Sequence, residues 1–246
     1  MSTYTEYRSW DLPVRLFHWI NVLCVFCQIA IGLIMLNKSS LGIQGIDASV
    51  GLKTLHVIIG YVFLINLLIR FIWAFVGSPS ARWRAFLFRP SDVKPFREYL
   101  AGEKSGSAPA YIGHTPPARL SVTVIYLVLT VMTITGLVRA GTDIYYPPFG
   151  GMVTRYIAAE GVEAESLIPY DKSQVDGTRY AEMGTFKGPF GKVHILGAYL
   201  LMFLIFVHVA ACVVHEVRHE GGLISAMFNG RKLLSGDPVD KELAGQ

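Results

Sequence analysis

Four long apolar blocks constrain this chain more than any other feature. They run from about Leu16 to Leu36, Leu55 to Val76, Leu120 to Val138 and Val193 to Val214, and none contains proline. A helix of about 20 apolar residues crosses a hydrocarbon core of about 30 Å. Backbone polar groups at that depth must be satisfied inside the helix itself. Four transmembrane helices in an all-α bundle are therefore expected. Composition agrees: 52% of the 246 residues are hydrophobic and only 16% are charged, where soluble domains carry about a quarter. An ordinary soluble enzyme and a disordered chain are both excluded. Arg8 and Arg15 precede the first block as they would in a secretory signal. The block is too long for one and no small-residue cleavage site follows, so it is expected to be retained.

Lysine and arginine in the connections set the orientation. The segment Gly77–Pro117 holds six basic and three acidic residues, a balance of +3, and Gly141–Gly191 holds four basic and seven acidic, a balance of −3. Arg8, Arg15, Arg218, Arg231 and Lys232 place both termini with the basic connection. Both termini are then cytoplasmic, and the 51-residue segment 141–191 is a long periplasmic loop between helices 3 and 4. Its aromatics and prolines, Tyr145 to Phe149 and Pro169-Tyr170, indicate an ordered cap rather than a linker. The net charge of +4 is what a positive-inside membrane protein shows and does not point to nucleic acid. The whole of 1–246 reads as one membrane domain with a cytoplasmic tail at 215–246.

Histidines stand where apolar residues are the rule. Of seven, His18, His56, His194 and His208 fall within or at the edge of the blocks, and ionisable groups at membrane depth call for a reason. His194 and His208 are 14 residues apart; at 100° per residue they fall about 40° short of four turns, on one face and about 21 Å apart. The first helix runs outward and the second and fourth inward. Matching depths then pairs His56 with His194 near the outside, and His18 with His208 toward the cytoplasm. Two bis-imidazole sites stacked across one membrane is the arrangement expected of two b-type haems. Zinc would ask for four ligands at one point, and each level offers two. Arg70, 14 residues after His56, lies on the same face; it pairs with a haem propionate or snorkels to the headgroups. Arg15, one turn before His18, has the same two options. Gly60 and Gly197 either clear a porphyrin face or mark close helix contacts.

Several other motifs carry less. Cys24-Val25-Phe26-Cys27 matches C-x-x-C, but Gln28 follows where covalent haem attachment needs His; with Cys212 these read as small packing side chains. His215-Glu216-Val217-Arg218-His219 satisfies H-E-x-x-H, yet it closes the fourth block without an obvious third ligand. His114, in Gly113-His114-Thr115-Pro116-Pro117, serves either as a donor to a quinone headgroup or as a loop or capping residue.

Pro13-Val14-Arg15-Leu16-Phe17-His18-Trp19 and Arg70-Phe71-Ile72-Trp73-Ala74-Phe75-Val76-Gly77 carry a family resemblance, as do Gly113-His114-Thr115-Pro116, Thr135-Gly136 and Met227-Phe228-Asn229-Gly230. In these segments the chain resembles the b-type cytochrome subunits of membrane-bound nickel–iron hydrogenases, within the bacterial cytochrome b561 group. The resemblance implies two haems on His18, His56, His194 and His208, in agreement with the spacing. Ile195, Tyr199 and Leu204 depart from the family's usual fourth span. The expected function is transfer of electrons from a periplasmic oxidoreductase across the inner membrane to quinone, with no catalytic residue assigned. The partner is a nickel–iron hydrogenase small subunit, or alternatively a multihaem c-type cytochrome or another periplasmic dehydrogenase. A remote alternative is an intramembrane zinc protease built on the H-E-x-x-H segment.

Overall fold

The computed structural model describes residues 4–218 and 222–243. In chain order these form β1 (Tyr4–Arg8), α1 (Leu12–Leu36), α2 (Ile46–Val76), α3 (Trp83–Phe86), α4 (Val93–Ser105), α5 (Pro116–Ile144), α6 (Gly150–Ile157), α7 (Gly177–Arg218), α8 (Ala226–Asn229) and β2 (Arg231–Ser235), with short 3-10 turns between some of them. Helices α1, α2, α5 and α7 are long and apolar enough to cross a membrane. This is a multi-pass membrane protein. Large apolar side chains such as Leu23, Phe75, Phe206 and Val217 stand exposed along these helices, a surface that suits lipid and not water.

Each spanning helix outruns its apolar block. The largest extension is in α7, which begins at Gly177 rather than near Val193. The stretch 177–191 belongs to the segment expected as loop, and it includes Gly184, Gly188, Pro189 and Gly191. It is helical because the Asp176 carboxylate accepts the Arg179 N–H at 2.9 Å, capping the first turn, and because Met183 is buried against Ile157 and Leu167. The segment between α5 and α7 is thus shorter than expected, residues 145–176, and ordered by α6 and by the isolated bridge between Ala158 and Val175.

The fold is also not purely helical. β1 and β2 pair antiparallel, from Tyr4 opposite Ser235 to Arg8 opposite Arg231. The residues beyond α7, expected as a tail, therefore return to the start of the chain.

The contacts divide the chain into two compact units. One is built from the described residues of Met1–Val22, Ile65–Leu127 and Phe203–Gln246. Trp10, Val14, Ala81 and Ala226 form a core there. The Asp240 carboxylate accepts the N–H groups of Ile112 and Gly113 at 2.7 and 2.9 Å, and the buried Lys232 ammonium donates to the Gly113 carbonyl at 2.9 Å. Ser9 donates to the Ile112 carbonyl. The other unit comprises Leu23–Leu64 and Val128–Met202. In it Gly150 is required by a close approach: a Cβ there would run into the carbonyl of Tyr145, itself at φ 60°.

Candidate functional site

In the second unit, His56 on α2 and His194 on α7 come together, with ring centroids 6.2 Å apart and planes at 74°. Two imidazoles on opposite faces of one metal ion, bonded at about 2.0 Å with each ring centre roughly 1.1 Å beyond its nitrogen, hold their centroids about 6 Å apart. The pair fits a bis-imidazole iron. The Nδ1 of His194 lies 2.9 Å from the Thr135 hydroxyl, which donates its own proton to the Val131 carbonyl at 2.8 Å. The hydroxyl oxygen therefore accepts the Nδ1–H, and Nε2 keeps its lone pair for a metal.

Glycines shape the surroundings. A Cβ at Gly136 would meet His194 Cε1 at 3.3 Å, and one at Gly32 would meet His56 Cε1 at 3.9 Å. Gly60 and Gly197, singled out in the sequence, instead admit neighbouring side chains: their Cβ atoms would meet Gln28 Nε2 at 3.0 Å and Met132 Sδ at 2.6 Å. They are close helix contacts. The Gln28 amide donates to the His56 carbonyl at 3.1 Å, leaving its Oε1, like the Nδ1 of His56, buried without a hydrogen-bond partner among the described residues. A cavity of about 340 Å³ opens here, lined by both histidines and by Phe63, Leu129 and Leu201. At its edge the Asp143 carboxylate accepts from Lys53 at 2.8 Å, Arg139 at 2.5 Å and Lys187 at 3.0 Å.

In the first unit, His18 on α1 and His208 on α7 are half-buried and within electrostatic reach of each other. Trp19 meets the His18 ring edge-on at 5.2 Å, and Cys212 Sγ stands 3.8 Å from His208 Nε2. Arg70 does not snorkel: it is 4% exposed. Its guanidinium lies over Phe86 at 4.5 Å, with Phe17 and Tyr126 each 5.9 Å away. Its Nη1 has no hydrogen-bond partner among the described residues. An uncompensated buried charge is costly, and a haem carboxylate is an anion of the kind this guanidinium lacks. Arg15 donates to the Phe228 carbonyl rather than reaching outward.

His114 packs beside Trp10 at 4.7 Å and Phe86 at 6.5 Å. Burial and then the cations Lys232, Arg119 and Arg70 pull its pKa down to about 3. Thr115, whose hydroxyl accepts the Ala118 N–H at 3.4 Å, takes the capping position at α5, while the Nδ1 of His114 has no hydrogen-bond partner among the described residues.

The H-E-x-x-H segment is only partly visible, since His219 lies outside the described residues. Glu216 accepts the Ile224 N–H at 3.0 Å, and no group of three metal-ligating side chains forms among the described residues. Cys24, Cys27 and Cys212 are free thiols. Sequence reasoning had no role for Thr135 as the orienting partner of His194, for Gln28, or for the cations gathered on Asp143. Small polar residues and charges near span ends are common, and only the fold places these around the ring pair.

Comparison with known proteins shows the family. The prokaryotic cytochrome b561 family matches over residues 9–230. The chain is 22% identical over 246 residues to a probable Ni/Fe-hydrogenase B-type cytochrome subunit of Rhodobacter capsulatus, covering 96% of this chain and 85% of that one. It is 26% identical over 232 residues to the probable Ni/Fe-hydrogenase 1 B-type cytochrome subunit of Escherichia coli K12, covering 89% and 88%. A third relative, a probable Ni/Fe-hydrogenase B-type cytochrome subunit of Azotobacter vinelandii, is 26% identical over 270 residues, covering 96% and 92%.

Proposed function

The chain belongs to the prokaryotic cytochrome b561 family, and on that premise we propose that it is a dihaem membrane subunit carrying electrons from a periplasmic nickel–iron hydrogenase to quinone. It is read as one cytochrome b domain of the bacterial inner membrane, with both termini cytoplasmic. His56 with His194 would hold one haem and His18 with His208 the other. One-electron storage and relay is the chemistry that such haems supply when bound.

The protein's own part is positioning. The two histidine pairs orient the ligand rings, and Thr135 fixes the tautomer of His194. Apolar lining residues such as Phe63 and Leu129 keep water from the site. Arg70 offers a buried N–H to a carboxylate. His114, held neutral by burial and by the cations around it, offers a ring nitrogen with which a quinone carbonyl can pair. The observation that carries the reading is the His56–His194 pair at bis-imidazole spacing. The partner rests on the names of the relatives, which are described as hydrogenase subunits.

Absorption spectra of the purified protein test it. Two extractable b-type haems per chain are expected, with His56→Ala and His194→Ala losing one and His18→Ala and His208→Ala losing the other. Hydrogen should reduce both haems in a gently solubilised complex that contains nickel and iron. Absence of α-bands defeats the haem reading. Haems that stay oxidised under hydrogen while a c-type cytochrome co-purifies would move the partner to the second candidate.

A further inference from the structure

We propose that Lys53, Arg139 and Lys187, gathered on the carboxylate of Asp143, form the anchor for the two propionates of the haem held between His56 and His194. The inference rests on the haem reading above and adds residues that neither motif nor spacing singled out.

Charge is the first argument. The three cations share one carboxylate, at 2.8 Å from Lys53, 2.5 Å from Arg139 and 3.0 Å from Lys187. Asp143 is 7% exposed, and the cationic side chains are between 25% and 33% exposed. Cations crowded in a poorly solvated place repel each other, and the cluster keeps an excess of +2. A haem carries two carboxylates, whose charge of −2 is the complement. Carboxylates accept strong, short hydrogen bonds from lysine and arginine.

Placement is the second. Lys53 precedes His56 by three residues on α2, and Lys187 precedes His194 by seven on α7; such spacings put each pair on one helix face. Arg139 stands four residues after Thr135 and three after Gly136 on α5, the residues against the His194 ring. Three of the helices that frame the ring pair, α2, α5 and α7, thus add one cation each, and each cation reaches Asp143. Lys53, Arg139 and Asp143 line the same cavity as the two histidines. Gly191 is bare where the Arg139 guanidinium passes, since a Cβ there would strike its Nη1. The backbone of α7 leaves that cation its place.

The sign of the potential shifts places the cations beside this haem, and haem transfer and the propionate infrared bands separate an anchor from a purely structural ion cluster. A cation beside a haem favours its reduced, more negative state. Removing one by Lys53→Met or Lys187→Met lowers the midpoint potential of one haem only, the haem that His194→Ala abolishes. Asp143→Asn does the opposite and raises it. In the Lys53→Met/Lys187→Met double variant, transfer of that haem to apomyoglobin should be about tenfold faster, as expected for loss of a charge-assisted bond. With haem carrying ¹³C at the propionate carboxyls, the redox difference infrared bands of the carboxylates should shift in both lysine variants.

Redox titration of the whole detergent-solubilised protein decides the matter. Opposite shifts confined to the His56–His194 haem support the anchor. Unmoved potentials, shifts of the same sign in lysine and aspartate variants, or shifts in the other haem overturn it. Should Asp143→Asn fail to fold, the two lysine variants and the infrared bands decide alone, because both retain a paired Asp143. A wild-type chain without haem would defeat the parent reading, whereas haem retained with unchanged potentials, transfer rates and bands would defeat the anchor alone.

Discussion

At His194 the Nδ1 nitrogen lies 2.9 Å from the hydroxyl oxygen of Thr135, and the hydroxyl proton is committed to the Val131 carbonyl. Thr135→Val keeps the shape and removes the acceptor, so the ring loses its fixed tautomer. Loss of such an outer partner lowers metal-site affinity by roughly 10- to 100-fold. On the proposed dihaem reading, the haem of His56 and His194 should become substoichiometric on purification, and the spectrum of the other should be unchanged. Arg70 gives a two-sided expectation. As a buried cation without a hydrogen-bond partner at Nη1, it costs the empty protein stability and helps the loaded one. Arg70→Met should therefore raise the melting temperature of haem-free protein and speed haem loss from the His18–His208 site about tenfold. His114 adds a pH dependence. Its folded pKa is near 3 against 6.5 for the free side chain, so between those values the unfolded chain binds the extra proton. Stability is fully present above pH 6.5 and is lost as pH falls toward 3. His114→Phe should flatten the melting temperature across that window relative to wild type. The histidines were legible in the sequence because a titratable ring in an apolar block stands out. Thr135 and Gln28 were not, since a small hydroxyl or a lone amide in a span is ordinary until its neighbour is known.

Among the elements, the four spans were legible because hydropathy is a local property, and their ends were not. Gly184, Gly188, Pro189 and Gly191 weaken helix propensity, yet α7 runs through them, held by the Asp176 cap and by the packing of Met183. Tertiary contacts outweighed local preference. The pairing of β1 with β2 was invisible for a different reason: no turn joins strands at the two ends of a chain, so no local signal exists. The segment between α5 and α7 depends on a backbone crossing at Gly150, where any side chain would enter the space of the Tyr145 carbonyl. Gly150→Ala should destabilise that segment by a few kcal/mol, the usual scale for overpacking. Limited proteolysis should then cut within residues 145–176 while the apolar spans stay protected. Equal protease resistance in wild type and variant would contradict the close approach.

For the whole molecule, two independent lines bear on how the chain sits in its membrane. One is charge: the connection 77–117 carries a balance of +3 and the segment 141–191 one of −3, and in membrane proteins generally the more basic connections lie on the cytoplasmic side. The other is the sheet, which charge counting did not foresee. Tyr4–Arg8 pairs residue by residue with Arg231–Ser235, so these two strands must lie on the same face, as four crossings require. Arg231 bonds Glu6 at 2.6 Å, and Lys232, its pKa lowered by burial to about 8, is held by the carbonyl of Gly113. The connection 77–117 and the paired strands β1 and β2 therefore share contacts within one unit, and Arg8, Arg231 and Lys232 are gathered there with the basic connection. A green fluorescent protein fused after Gln246 should accordingly fluoresce, and alkaline phosphatase inserted at Glu163 should be active. The reverse pattern would invert the topology and with it the direction of entry assigned to the partner. Fluorescence together with inactive phosphatase would mean that the segment 145–176 stays on the side of the chain's end, and the count of four spans would fail.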